Sequence, residues 1–177
     1  MNAVLQQVLT IIGVLAGVVA SYGAATMTER SKWKRSQSTR WDEKRLTAYS
    51  EYANAVKLSV RVCYRIAAGR NLVPAGQPID PEAGVIALAE IENERAAKWE
   101  TVLLLGEPAT ISAARTWHES VWRLEMLTRR QGVDSATFVA AYKESVRLRN
   151  VFYAKARCDL GVLSGEIPSP TFGSLRL

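Results

Sequence analysis

Residues 3–25 form one apolar segment without a charged side chain, and every Lys and Arg of the chain lies after it. A helix of about 20 residues, rising 1.5 Å per residue, crosses the roughly 30 Å hydrocarbon layer of a bilayer. In lipid a lone segment must also satisfy its own backbone hydrogen bonds, and a helix does so. The segment therefore predicts a transmembrane helix within residues 1–27.

A cleaved signal peptide is the alternative, because small residues occur at 23–25, near the end of the segment. Signal peptides carry positive charge before a shorter apolar core of about 7–15 residues. Here the basic residues follow the segment, at Arg30, Lys32, Lys34, Arg35, Arg40, Lys44 and Arg45. Basic flanks stay in the cytoplasm. We therefore expect a single-pass protein of the inner (plasma) membrane, with its N-terminus outside and its C-terminal domain cytoplasmic.

The positive charge is concentrated after the apolar segment. Residues 28–70 hold 11 Lys and Arg against 4 Asp and Glu. Attraction to an anionic leaflet fades within a Debye length, so the part nearest the bilayer uses it best. We expect residues 28–45 to form a helical juxtamembrane segment that contacts anionic lipid of the inner leaflet through Arg30, Lys32, Trp33, Lys34, Arg35 and Arg40. The alternative is that these basic residues serve only to set the orientation of the membrane helix. Nucleic acid is not an expected partner, because no nucleic-acid-binding module is recognisable.

Small residues recur at every fourth position of the apolar segment, at Gly13, Gly17 and Ser21. Such a stripe lets two membrane helices approach closely enough for backbone packing. It predicts self-association of the chain. The alternative is that these residues reflect only the ordinary abundance of Gly in membrane helices.

The remaining chain has the length and the apolar content, 48% over the whole sequence, for one packed domain. Helical patterns run from residue 29 to about 68, 81 to 105, 108 to 131 and 134 to 160. Gly69, Gly106 and Gly132 predict the stops, and Asp80-Pro81 and Asp134 predict two starts. Short connections favour antiparallel neighbours. The prediction is an all-α fold, with an up-down antiparallel bundle of about four helices over residues 46–160 and an irregular tail at 161–177.

Each predicted helix has an apolar face that identifies its inward side. The first helix should pack through Tyr49, Tyr52, Val56, Ser59, Cys63 and Ile66, and the third through Ile111, Ala114, Trp117, Val121, Leu124 and Thr128. The inner face of the last helix should carry Phe138, Tyr142, Val146, Arg149, Phe152 and Tyr153.

The sequence contains few groups of residues in the patterns that catalysis or metal binding requires. His118 is the only histidine, and neither it nor Cys63 or Cys158 falls in a metal-binding spacing. Glu90 and Glu94 share a helix face, but the Glu-x-x-His pairs of di-metal bundles do not occur. Phosphate-binding Gly-rich loops do not occur either. We expect no enzymatic activity and no cofactor; nucleophilic catalysis by a cysteine with His118 is the residual alternative.

The stretch from Trp41 to Tyr52, WDEKRLTAYSEY, resembles a pattern found in small uncharacterised bacterial membrane proteins, many of them actinobacterial. In these a spanning helix is followed by a basic stretch, by Trp-x-x-x-Arg-x-x-Ala-Tyr-x-x-Tyr or Phe, and by further helices. The resemblance implies the same layout here and adds no catalytic residue. Trp41, Ala48 and Ala55 are seven residues apart, and so are Arg45 and Tyr52. The motif is therefore expected to form the membrane-proximal end of the bundle seam.

Two functions fit these features. The first is a non-enzymatic, membrane-anchored interaction protein that localises a partner, either another protein or a second copy of itself, at the cytoplasmic face. The second is a lipid- or small-ligand-responsive sensor that holds an apolar molecule among Trp99, Trp117, Trp122, Tyr142 and Phe152. Large aromatic side chains usually fill cores. A cavity larger than one water molecule among these rings would therefore favour the sensor.

Overall fold

The computed structural model describes residues 40–74 and 76–162, and all regular secondary structure in these ranges is helical. Helix α1 covers residues 40–69 of the described chain, and it is followed by α2 (Pro81–Leu105), α3 (Pro108–Arg129) and α4 (Ser135–Asp159). Four helices packed as a bundle confirm the predicted all-α class. Within the described ranges, no helix is long and apolar enough to cross a bilayer.

Several predicted features lie outside the described residues. They are the apolar segment with Gly13, Gly17 and Ser21, the basic and aromatic residues at 30–35, and most of the tail. Arg40 is described, and it is an exposed residue of α1. The chain divides into two compact units, residues 1–43 and 44–177. The bundle described below belongs to the second unit.

Two helix starts follow the sequence prediction. The Asp80 carboxylate accepts hydrogen bonds from the backbone N–H groups of Glu82 and Ala83, both at 3.0 Å. The Asp134 carboxylate accepts from the N–H of Thr137 at 2.8 Å. Each side chain satisfies first-turn donors that have no partner within the helix.

The end of α1 lies slightly beyond the predicted stop at Gly69. Asn71 is the residue in the left-handed region, with φ of 56°. The N–H of Leu72 donates to the carbonyl of Ala67 at 2.9 Å, and the N–H of Asn71 donates to Ala68 at 3.1 Å. This pattern is a Schellman motif, in which asparagine replaces the more usual glycine. Asparagine tolerates this conformation better than most residues, which explains the displaced stop.

Glycines 84 and 106 allow close approach of helices. A Cβ on Gly84 of α2 would lie 2.6 Å from Ile66 of α1. A Cβ on Gly106 would lie 2.7 Å from the Val102 carbonyl and 3.1 Å from the Tyr49 hydroxyl. Gly106 has an ordinary φ of −84°, so space and not backbone conformation requires glycine there.

Contacts at the two ends establish the helix directions. Arg45, early in α1, donates from Nε to the carbonyl of Leu105 at the end of α2, at 2.8 Å. Tyr64, late in α1, packs against Tyr142, early in α4. Arg70 after α1 donates to the carbonyl of Arg130 after α3, at 3.0 Å. Successive helices therefore run in opposite directions, and α1 is parallel to α3.

The core confirms most of the predicted inner faces. All six predicted residues of α1 are buried, and five of six in α3, where Ile111 is partly buried. The prediction for α4 was wrong at Arg149, which is half-buried and outside the core, whereas Val146 and Tyr153 are partly buried and pack against the core. The face of α4 is instead completed by Ser145, Leu148 and Ala156.

A polar network fastens one end of the bundle. The Asp159 side chain, 2% exposed, lies at the end of α4. It accepts hydrogen bonds from the Tyr49 hydroxyl of α1 and, at 3.0 Å, from the backbone N–H of Glu107. Its Oδ1 lies 3.3 Å from Nη1 of Arg45 in an ion pair. One carboxylate thus joins α1, the α2–α3 connection and α4, and two residues of the Trp41–Tyr52 motif have a structural role.

Replacing Asp159 by Asn should lower the free energy of unfolding by about 2–3 kcal/mol. The amide keeps the shape but leaves Arg45 without its counter-charge and disturbs buried hydrogen bonds. Urea unfolding of the detergent-solubilised chain, followed by tryptophan fluorescence, measures the change.

Glu144→Gln is the matched control. It breaks the Glu144–Arg147 ion pair of α4, whose side chains are 46% and 62% exposed. Exposed pairs contribute about 0–1 kcal/mol, so this variant should stay close to wild type. Equal effects of the two substitutions would contradict a structural role for the Asp159 network.

Candidate functional site

A partly open cavity of about 100 Å³ lies between α1 and α4, with one residue of α3 behind it. Its surface is mostly apolar. Nine residues line it: Lys57, Val60, Arg61 and Tyr64 of α1, Trp117 of α3, and Tyr142, Ser145, Val146 and Arg149 of α4. A single water needs only about 10–15 Å³ of such space, so the cavity exceeds one water molecule.

Aromatic side chains form the inner part of the cavity. Trp117 is 1% exposed and stacks on Phe152 with ring centres 5.5 Å apart. Tyr142 is buried and lies 5.3 Å from the Tyr64 ring. Burial, followed by the neighbouring Tyr64, raises the pKa of Tyr142. The cavity therefore presents neutral aromatic surface at physiological pH.

The indole of Trp117 has an unsatisfied donor. Its Nε1–H is buried and has no hydrogen-bond acceptor among the residues that the structure describes. A buried donor without an acceptor costs about 1–3 kcal/mol. Unsatisfied groups of this kind are rare in folded proteins. Because Nε1 itself is buried, this donor does not form part of the cavity surface.

Three cations surround the aromatic part. Lys57 and Arg61 are exposed, and Arg149 is half-buried. Within the described ranges none of the three forms an ion pair; Arg149 donates from Nε and Nη2 to the Asn150 side-chain oxygen, both at 3.3 Å. Among residues 40–74 and 76–162, no Asp or Glu lines the cavity. The arrangement is an apolar cavity with a positively charged surround.

The sequence located only part of this site. Of the five rings proposed for a ligand, Trp117 and Tyr142 line the cavity and Phe152 packs behind Trp117. Trp99 instead packs on Tyr52, and Trp122 is 57% exposed. The basic residues of α1 were missed as site residues, although positions 57, 60, 61 and 64 share one helical face and alternate basic with apolar side chains.

A second polar cluster lies between α2 and α3. The buried Arg95 donates to both carboxylate oxygens of Glu92, at 2.8 and 2.6 Å. Glu92 also faces Nε2 of His118 at 3.3 Å. Nearby, Glu94 pairs with Lys98 at 2.6 Å. Arg95 and the Glu92–His118 contact are the parts that sequence reasoning missed.

The titration of this cluster has clear physical causes. Burial and then the Arg95 charge lower the pKa of His118, although Glu92 opposes them. The hydrogen bond from Arg95 lowers the pKa of Glu92. At neutral pH the cluster therefore holds a neutral imidazole beside a neutralised ion pair.

The remaining candidates for catalysis or metal binding are the two cysteines and the acidic residues. Burial raises the pKa of the Cys63 thiol, which reduces the supply of the reactive thiolate. Cys158 is exposed. In the described part of the chain, no group of three or more His, Cys, Asp and Glu residues is placed to hold a metal ion.

Comparison with protein-family models, with curated proteins and with solved structures finds no match to this chain.

Replacing His118 by Gln should reduce the loss of stability between pH 7.5 and pH 5.5. The folded-state pKa of His118 is lowered from its ordinary value of about 6.5. As the pH falls below about 6.5, the imidazole of the unfolded chain takes up a proton before that of the folded chain does. The free energy of unfolding therefore decreases as the pH falls. Melting temperatures across this range, read from tryptophan fluorescence, test the difference.

His118 is the only histidine of the chain, so few other side chains titrate in this interval. Wild type should therefore show a fall in melting temperature that the variant lacks. Identical pH dependence in the two proteins would mean that His118 is solvated like a free imidazole.

Proposed function

We propose that this protein is a non-enzymatic, membrane-anchored binding module whose bundle takes up a small ligand between α1 and α4. The observation that carries the proposal is the cavity itself, whose mostly apolar surface is lined by aromatic side chains and by Lys57, Arg61 and Arg149. A concave, mostly apolar site with a few polar groups is the usual form of a small-molecule site.

The size of the cavity limits the ligand. An apolar protein cavity of about 150 Å³ is known to bind benzene. The cavity here, of about 100 Å³, is partly open, so one ring or a short chain fits with part of the molecule at the mouth. A complete lipid acyl chain is too long for it.

The sequence supplies the proposed location. Residues 3–25 would anchor the protein in the inner membrane, and the basic residues after them would hold the bundle at the cytoplasmic face and contact anionic lipid. Ligand binding between two helices stabilises the bundle by RT ln(1 + c/Kd), where c is the free ligand concentration, so the stability of the bundle rises with the logarithm of ligand concentration above Kd. This dependence gives the module a means of responding to its ligand.

Phenol and benzyl alcohol should bind to the full chain, with saturation-transfer NMR reporting the contact. Val146→Phe places a ring into the cavity lining and should abolish the signal while the helical circular-dichroism spectrum is kept. Leu58→Phe is the matched control, because Leu58 lies on α1, is 41% exposed and does not line the cavity.

Binding by wild type and Leu58→Phe, with loss in Val146→Phe, supports the proposal. Absence of phenol binding to wild type, or equal binding by all three proteins, contradicts it.

A second candidate function is the interaction protein that localises a partner or a second copy of itself. The observation that favours it is the exposure of large apolar side chains, led by Leu104 at 83%, with Ile86 at 63%. Exposed apolar surface can mark a contact between proteins. The stripe Gly13, Gly17 and Ser21 would add a contact within the membrane.

Self-association through the bundle should be weakened by Leu104→Ser, and self-association through the stripe by Gly13→Leu. Light scattering of the chain in detergent gives the mass of each variant. A monomeric wild type would remove the self-associating form of this candidate.

A further inference from the structure

We infer that the ligand of the α1–α4 cavity is a small amphipathic anion, with an apolar ring or short chain and a carboxylate or comparable anionic group. The inference rests on the proposed binding function and specifies the class of ligand. Its two supports are the single sign of the charged residues that line the cavity and the hydrogen-bond donors that these residues carry.

The charge at the cavity has one sign. Lys57, Arg61 and Arg149 all line it, no acidic residue lines it, and none of the three cations is ion-paired within residues 40–74 and 76–162. Two less exposed cations of the bundle are neutralised by carboxylates, Arg45 by Asp159 and Arg95 by Glu92. An anion bound here would meet three positive side chains beside low-dielectric aromatic surface, where attraction is stronger than in bulk water.

The hydrogen-bonding groups of the cavity also favour an acceptor. The guanidinium groups of Arg61 and Arg149 and the ammonium group of Lys57 can only donate hydrogen bonds. The Ser145 hydroxyl already donates to the Tyr142 carbonyl at 2.8 Å. A carboxylate, which accepts several hydrogen bonds and donates none, matches this set better than an amine or an amide.

The inner aromatic part and the cationic mouth of the cavity suit different parts of an amphipathic ligand. The apolar part would lie against the Trp117 and Tyr142 rings, which are buried. The anionic part would lie toward the exposed Lys57 and Arg61 at the mouth. Such a ligand keeps its charge partly hydrated, which avoids the large cost of burying an ion.

Benzoate, benzamide and benzamidinium test the inference, because they have nearly the same shape and carry charges of −1, 0 and +1. Isothermal or NMR titration of the full chain should give affinity in the order benzoate, benzamide, benzamidinium. We expect benzoate to bind about tenfold more tightly than benzamide, equivalent to about 1.4 kcal/mol. The advantage should shrink as salt is raised.

Variants locate the effect. Arg61→Gln and Arg149→Gln should each lower the affinity for benzoate about threefold and leave that for benzamide nearly unchanged. Lys155→Gln removes the same charge from an exposed residue of α4 outside the cavity and should change neither. Trp117→Phe keeps a ring but removes the indole donor. In ¹⁵N-labelled wild type, the indole resonance that this variant lacks should shift on adding benzoate.

The outcomes separate the inference from the function on which it rests. If benzoate and benzamide bind equally and both lose binding in Val146→Phe, the cavity is a binding site but its ligand is not selected by negative charge. If benzoate fails to bind while phenol binds, the inference is also overturned. If neither benzoate nor phenol binds, the proposed binding function itself fails.

Discussion

The ring of Tyr52 is the contact on which the bundle depends, because it meets an aromatic side chain from each of the other three helices. Its centre lies 5.5 Å from Trp99 of α2, 6.4 Å from Trp117 of α3 and 5.9 Å from Phe152 of α4. Its hydroxyl donates to the Ala114 carbonyl at 3.0 Å, and burial raises its pKa to about 12. Tyr52 thus remains a neutral donor that fixes α1 in the centre of the aromatic core.

The same contact positions the cavity. Trp117 is held between Tyr52 and Phe152, with its ring stacked on the latter. Held there, Trp117 closes the inner side of the space between α1 and α4. The cavity therefore lies beside a packed aromatic cluster, which would give the proposed site a means of selecting a ligand by shape.

The basic residues that follow the apolar segment have several roles. The sequence shows a basic excess over residues 28–70, and the prediction of membrane contact covered only the part within residues 28–45. In the bundle, Arg45 is committed to Asp159, whereas Lys57 and Arg61 line the cavity. Lipid contact by Arg30, Lys32, Trp33, Lys34, Arg35 and Arg40 stays a prediction. These basic residues thus fall into three groups: one stabilises the fold, two line the cavity, and the others belong to the proposed membrane contact.

Local signals in the sequence predicted most of the fold. The seam of α1 and the caps at Asp80 and Asp134 depend on periodicity and on nearest-neighbour hydrogen bonds, which the sequence contains. The site depends on distances between helices far apart in the chain. Residues 57 and 149 meet only through tertiary packing, and helical spacing alone does not separate a core position such as Phe152 from a cavity position such as Val146.

A crystal structure of the full chain with 4-bromobenzoate is the most direct measurement, because bromine is located by its anomalous scattering. We expect one bromine peak between α1 and α4, beside Trp117 and Tyr142, with the carboxylate toward Arg61 or Arg149. A closed α1–α4 interface without a bromine peak, with side chains filling the space, would contradict the claim that this bundle is a ligand-binding module.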